Sequence, residues 1–269
     1  MPVDIGQKPK TYVVINPVAG VSQREIVREK IESALHERDI PYAIYETTAG
    51  ENLQQKIRDA IDQGFKLFMV AGGDGTLSGV IDGLADTGVP LAIIPTGTWN
   101  ALARVLDIPL QINDAVELLF QNHAVQTIDA MRIDERFFVL SISVGIGSLT
   151  IKKVTREEKR RFGRLADLWT GMAQLMKFRS YPFEVKIDGQ RTTFRASELL
   201  VANSRTLILK SLQLDPDIRM DDGKLNVCRI YAKSLRDYLD LVISMLTGSQ
   251  DRNWHVLCME AFKEVEIRS

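Results

Sequence analysis

The chain has 269 residues, 45% of them hydrophobic, and a formal net charge of −1. That length accommodates one large domain or two ordinary ones with a real core, which excludes a disordered chain; the near-neutral balance disfavours nucleic acid as the main partner. Cys228 and Cys258 lie far apart and are joined by only His36, His123 and His255, so no protein zinc site is spaced for, and reduced cytosolic thiols are expected.

The N-terminal MPVDIGQKPK has no apolar h-region, and no apolar run reaches the roughly 20 residues that span a bilayer. A cytoplasmic protein with at most peripheral membrane contact is expected. From Thr11 to about Asp107, short apolar strands alternate with amphipathic helices. Tyr12 to Ile15 reads as a buried strand and Asn16 to Gly20 as a turn. Ser22 with Glu25 reads as a capping box, opening a helix whose inner face includes Val27, Ile31 and Leu35. Pro41 to Glu46 is a strand, followed by the polar turn Thr47-Thr48-Ala49-Gly50 and a helix over Glu51 to Asp62.

Lys66 to Ala71 is the strand that delivers Gly72-Gly73-Asp74-Gly75-Thr76. Glycines lack a Cβ and let backbone N–H groups turn toward an anion, so polyphosphate is the expected ligand. A carboxylate beside phosphates would repel them, which suits Asp74 to a ribose hydroxyl, a Mg²⁺ or a reacting hydroxyl. Thr76 is placed as the N-cap of the next helix. Leu91 to Ile94 is a fourth strand, followed by Pro95-Thr96-Gly97-Thr98 and a helix from about Trp99 to Leu106. There a glycine, the hydroxyl of Thr98 at a helix start and the amide of Asn100 repeat the logic of the first glycine turn. Doubly covered strands separated by helices predict an α/β fold with a doubly wound, mostly parallel sheet. Turns 16–20, 72–76 and 95–100 fall at its ligand-binding edge.

After about residue 130 the rhythm changes to that of an antiparallel β domain. The expected domains are therefore 1–130, α/β and nucleotide-binding, and 131–269, β-rich. Phe137 to Ile146 is one long β-rich run; Phe183, Val185 and Ile187 alternate before Asp188-Gly189; Leu199 to Ala202 and Leu225 to Val227 continue the strands. Helices are expected within about 155–178 and 234–247. Residues 152–164 carry seven basic residues against two acidic ones, followed by Leu165, Leu168, Trp169, Met172, Leu175 and Met176 at helical spacing. This reads either as a basic amphipathic helix meeting an anionic membrane or as a core helix with a solvated start. Asp221-Asp222-Gly223 reads as a tight turn or a metal site.

VINPVAG at 14–20, GGDGT at 72–76 and IPTGTWNALAR at 94–104, in this order and spacing, resemble the diacylglycerol kinase catalytic-domain family. The superfamily also includes sphingosine and ceramide kinases, and its bacterial lipid kinases are nearest in size. The likeness runs from about Lys10 to about Ile230. GGDG alone also occurs in NAD kinases and phosphofructokinases; GTWNALAR points to the lipid branch.

The resemblance implies ATP-dependent phosphorylation of a lipid hydroxyl, with diacylglycerol or a related lipid as substrate, and an α/β nucleotide domain followed by a β-sandwich-like domain. It implies a nucleotide loop of Gly72, Gly73, Asp74, Gly75, Thr76, Leu77 and Ser78, with Asn16, Thr98 and one of Thr47 and Thr48 also in contact; the turn pattern adds Asn100 to these nucleotide contacts. Mg²⁺ would be held by Asp222 with the main-chain carbonyls of Arg219 and Lys224. Three departures stand against the pattern. Ser148-Leu149 follows VGIG where the family has Phe-Asp, and Leu225-Asn226 stands where it has Leu-Asp. The sequence also stops at EVEIRS, before the family's late Asp-Gly-Glu motif and further strands. Asp74 is then the remaining candidate for the base that takes the hydroxyl proton, a metal or ribose role fitting it equally well, and the alternative is a nucleotide-binding pseudokinase or regulatory protein without turnover. The oligomeric state is left open, a homodimer included.

Overall fold

Strands that are apolar at successive positions need cover on both faces, and the first half of the chain supplies it. The computed structural model describes residues 8–17, 21–121, 124–145, 180–206, 214–215, 217–232, 234, 236–237, 240, 243 and 256–268. Strands β1 (Thr11–Ile15), β2 (Tyr42–Glu46), β3 (Leu67–Gly72) and β4 (Leu91–Pro95) form a parallel sheet in the order β2-β1-β3-β4. The helices are α1 (Val21–His36), α2 (Leu53–Asp62), α3 (Asp74–Leu84), α4 (Ala101–Val105) and α5 (Ile112–Leu118). On one face of the sheet Val13, Ile15, Met69, Ala71 and Ile94 pack with Val27, Ile31 and Leu35 of α1 and Val116 of α5. Each buried Val, Ile, Leu or Met side chain among them contributes about 1.5–3 kcal/mol. The other face carries Phe68 and Val70, with Tyr12 set against Phe65 and Phe68. Helices α2 and α3 pack closely, because Gly83 has no Cβ: one built there would stand 2.6 Å from the Cβ of Ile57.

The expected helix starts shift once tertiary contacts are present. Ser22 lies inside α1, which begins at Val21. Thr76 is also inside its helix; the N-cap of α3 is Gly73. Helix α4 begins at Ala101 with Asn100 as N-cap, so Thr98 precedes the cap. Capping by Asn52 is local: its side chain accepts from the N–H of Gln55 at the start of α2.

The chain divides between Phe138 and Val139 rather than near residue 130. Strands β5 (Met131–Ile133) and β6 (Arg136–Phe138) make a hairpin that belongs to the first unit, and Arg136 and Phe137 both bond to Asp82 of α3. The run Phe137 to Ile146 is consequently not one strand. Its first residues end β6, and β7 (Ser141–Gly145) belongs to the second unit.

The second unit is built from antiparallel strands. Four of them, β12 (Val256–Ala261), β11 (Leu225–Ile230), β10 (Glu198–Ala202) and β7, lie in that order, and β13 (Val265–Arg268), β8 (Tyr181–Ile187) and β9 (Gln190–Ala196) form a three-stranded sheet. Alternation splits their side chains between two cores. Phe183, Val185 and Ala196 pack with Leu199, Val227 and Ala261, whereas Leu200, Cys228 and Ile230 pack with Leu214 and Ile218. The β8–β9 turn places Asp188 and Gly189 at positive φ, as a two-residue hairpin of this hand requires. The Asp188 carboxylate accepts the N–H groups of Phe262, Lys263 and Glu264, where the chain turns from β12 to β13.

The expectation of reduced thiols is overturned. Antiparallel register sets Cys228 opposite Cys258, with their Cα atoms 3.9 Å apart, and a disulfide joins them. Sequence separation hid a pairing that strand register creates. The basic segment 152–164, the apolar helical stripe after it, and Ser148-Leu149 lie outside the described residues, as does most of the expected helix at 234–247. Among the described residues, no helix is long and apolar enough to cross a membrane.

Candidate active site

Strand order reverses between β1 and β3, so the crevice for a ligand lies beyond their carboxyl ends. Asn16 leaves β1 there, with its N–H bonded to the carbonyl of Ala71. Its side-chain Nδ2 donates to Thr76 Oγ1 at 2.6 Å. Thr47 follows β2, its N–H on the carbonyl of Ile15, and Thr96 follows β4, its N–H on the carbonyl of Gly72. The turns after β1, β3 and β4 therefore adjoin at one edge of the sheet. Val18, Ala19 and Gly20 lie outside the described residues.

Two glycines allow the closest of these approaches. A Cβ on Gly73 would stand 3.1 Å from the Cα of Gly97, and one on Gly97 would stand 2.5 Å from the Cα of Gly73 and 2.8 Å from Asn100 Oδ1. Gly72 is equally confined, since a Cβ there would meet that of Thr76 at 2.8 Å. Gly75 has open space around its missing side chain.

The two helix starts at this edge are treated differently. Helix α3 has glycine as its N-cap and no side-chain cap bond; its first ladder bond runs from Leu77 N–H to the Gly73 carbonyl. The N–H groups of Asp74, Gly75 and Thr76 thus precede the ladder, at the positive end of the helix dipole. Helix α4 is capped from outside by Asp74, whose Oδ2 accepts Asn100 N–H at 3.0 Å and Oδ1 accepts Ala101 N–H at 2.7 Å. Asn100 holds positive φ, and its side-chain amide closes the turn on Gly97 at both ends, Oδ1 on the N–H and Nδ2 on the carbonyl.

Of the residues read from sequence as nucleotide contacts, Asn16, Gly72, Gly73, Asp74, Gly75, Thr76 and Asn100 are brought together at this edge. Asn16, Asp74 and Asn100 act there by ordering the turns. Leu77 is buried in the core, and Thr48 and Thr98 are exposed. Ser78 lies one turn along α3 from Asp74, where its Oγ accepts from Arg136 Nη2 at 3.3 Å. Arg136 and Asp82 were missed, because a lone acid on a helix and a basic residue in a short hairpin carry no periodic signal.

In the second unit, Asp222 Oδ1 accepts the N–H of Lys224, with Gly223 at positive φ, and Arg219 bonds Asp221 through Nε and Nη2. Among the described residues, no group of three or more His, Cys, Asp or Glu side chains gathers for a metal. A site here would rest on one carboxylate with main-chain carbonyls, a hard-oxygen donor set of the kind Mg²⁺ takes together with water.

Fold and site define an α/β protein with an uncapped, anion-ready helix start at the switch point of a parallel sheet. Residues 10–133 match the diacylglycerol kinase catalytic domain, and residues 140–269 match the YegS C-terminal NAD kinase beta sandwich-like domain. The chain belongs to the diacylglycerol kinase family. It is 24% identical to a diacylglycerol kinase of Staphylococcus carnosus over 97% of this chain and 85% of that protein. With a diacylglycerol kinase of Bacillus subtilis the figures are 26%, 94% and 84%. An uncharacterized Synechocystis protein, sll0036, is 27% identical over 93% of this chain, which spans only 60% of that relative's length. The crystal structure of a putative diacylglycerol kinase from Bacillus anthracis has the same fold, with a TM-score of 0.78 at 23% identity over 97% of this chain and 85% of that one.

Proposed function

We propose that this protein transfers the terminal phosphoryl group of ATP to a lipid hydroxyl, with diacylglycerol as acceptor. The observation that carries the reading is the N-terminus of α3, left without a side-chain cap at the sheet's switch point while its own first residue caps a neighbouring helix. Unpaired N–H groups in a glycine turn are suited to phosphate oxygens. The diacylglycerol kinases among its relatives supply the acceptor class.

Phosphoryl transfer depends mainly on positioning and charge neutralisation, and these residues offer both. The N–H groups of Asp74, Gly75 and Thr76 would hold the phosphate tail, with Asn16 keeping Thr76 in place. A base role would need a carboxylate oxygen aimed at the acceptor hydroxyl, and both oxygens of Asp74 already accept backbone N–H groups. We therefore assign Asp74 to ordering the turn at 97–101. Asp222, with the carbonyls of Arg219 and Lys224, would hold Mg²⁺ in the second unit.

The test is transfer of labelled phosphate from MgATP to diacylglycerol in mixed micelles, beside a known lipid kinase. Labelled lipid that disappears with EDTA supports the proposal. ATP binding with no labelling of any lipid would instead favour a nucleotide-binding protein without turnover. In the cell we place the enzyme in the cytoplasm, meeting its substrate at a membrane surface.

A further inference from the structure

Asp74, Ser78 and Asp82 are four residues apart along α3 and form one stripe, since such positions stack on a helix face. Arg136, from the β5–β6 hairpin, lies along the lower part of that stripe. Its Nε donates to Asp82 Oδ2 at 2.6 Å and its Nη2 to Ser78 Oγ at 3.3 Å. Phe137 N–H adds a 2.7 Å bond to Asp82 Oδ1, so both oxygens of that carboxylate are engaged.

The burial of the pair is lopsided. The Asp82 side chain is 4% exposed and that of Arg136 is 58% exposed. A buried carboxylate with two short donors is a rigid anchor, whereas the guanidinium it holds is open to solvent. Among the described residues, Nη1 of Arg136 has no protein partner. Ser78 is four residues, or about 6 Å of helix rise, from the uncapped start of α3.

We infer that Arg136 is a phosphate-contacting residue of this site and that Asp82 is its positioning residue. This rests on the kinase reading of the glycine turn and adds a side-chain cation to its backbone donors. The chemistry it fits is a phosphate dianion, borne either by the nucleotide tail or by the phosphate monoester of the product.

The experiment measures binding of MgATP and of adenosine, and inhibition by dioctanoyl phosphatidate in mixed micelles, for wild type, Arg136→Gln and Asp82→Asn/Arg136→Gln. The double variant removes both charges together, so no unpaired buried carboxylate confuses folding with binding. Loss of one charge-assisted contact weakens phosphate-bearing ligands by about tenfold to a hundredfold and leaves adenosine unchanged. A loss confined to MgATP identifies the nucleotide tail, and one confined to phosphatidate identifies the product; either supports the inference. Arg136→Lys recovers part of the loss, because the charge remains without the fork that Asp82 orients. A folded double variant that binds both phosphate ligands as wild type does overturns the inference and leaves the kinase reading intact. Wild-type protein that binds neither MgATP nor phosphatidate overturns both.

Discussion

Gly73 and Gly97 meet backbone to backbone, and neither position has room for a Cβ. The contact joins the turn after β3 to the turn after β4, so two loops distant in sequence behave as one wall of the site.

Gly97→Ala should push those turns apart. The added carbon would lie 2.5 Å from backbone and 2.8 Å from Asn100 Oδ1, which the bonds of its amide to Gly97 hold in place. We expect a stability loss of about 1–3 kcal/mol and a collapse of ATP affinity. Gly75→Ala has space in the protein and should gain a few tenths of a kcal/mol, up to about 1, from helix propensity. If phosphate approaches that backbone, it should nevertheless lose ATP affinity. Denaturant unfolding and nucleotide titration of both variants separate the two effects; retained stability and binding in Gly97→Ala would contradict the geometry.

Asp74→Ala removes the external cap of α4. Loss of a capping carboxylate costs about 0.5–2 kcal/mol, and Asp74→Asn, which keeps one acceptor oxygen, should cost less. With Asp74 as a turn-ordering residue, both variants should raise KM for ATP in proportion to the lost stability. A large fall in kcat with unchanged stability and KM would return Asp74 to the chemistry.

Much of this site can be read from sequence because it is made of glycine and turn residues that follow strands. β1, β3 and β4 were legible as apolar runs, and the turns after them as breaks in the pattern. Capping was misread at Thr76 and Thr98 because the local rule looks for a hydroxyl at the helix start. Here the caps are a bare glycine and an aspartate from another helix. The hairpin β5–β6 and the Asp82–Arg136 pair were missed for a related reason: residues 54 apart in sequence are joined only by the fold. Register likewise joined the two cysteines.

Glu198 should make the stability of the second unit depend on pH. Burial pushes its carboxyl above the usual glutamate range, opposed in part by the hydrogen bond from the Ser143 hydroxyl. Folded protein therefore keeps a proton that the unfolded chain releases. The resulting stability is complete below the unfolded value and is lost as pH rises through the folded one. Melting temperature against pH should fall over that window in wild type and stay flatter in Glu198→Gln, which should also be the more stable at neutral pH. Parallel curves for the two proteins would refute this.

The disulfide closes 30 residues of chain, for which loop-closure entropy gives a stabilisation of about 3–4 kcal/mol. In a reducing cytoplasm the dithiol is the competing state. Cys228→Ser/Cys258→Ser should unfold earlier than oxidised wild type and match wild type treated with dithiothreitol. Thiol titration of the oxidised, denatured protein should find no free cysteine, and two free thiols would show the bond does not form.

Hairpin tips are usually the places where a protein best accepts inserted sequence. The β8–β9 tip is an exception, because Asp188 grips three successive N–H groups at the corner between β12 and β13. An epitope tag or lengthened loop placed there would release the corner through which the chain changes sheets, which makes this short turn a poor site for labelling.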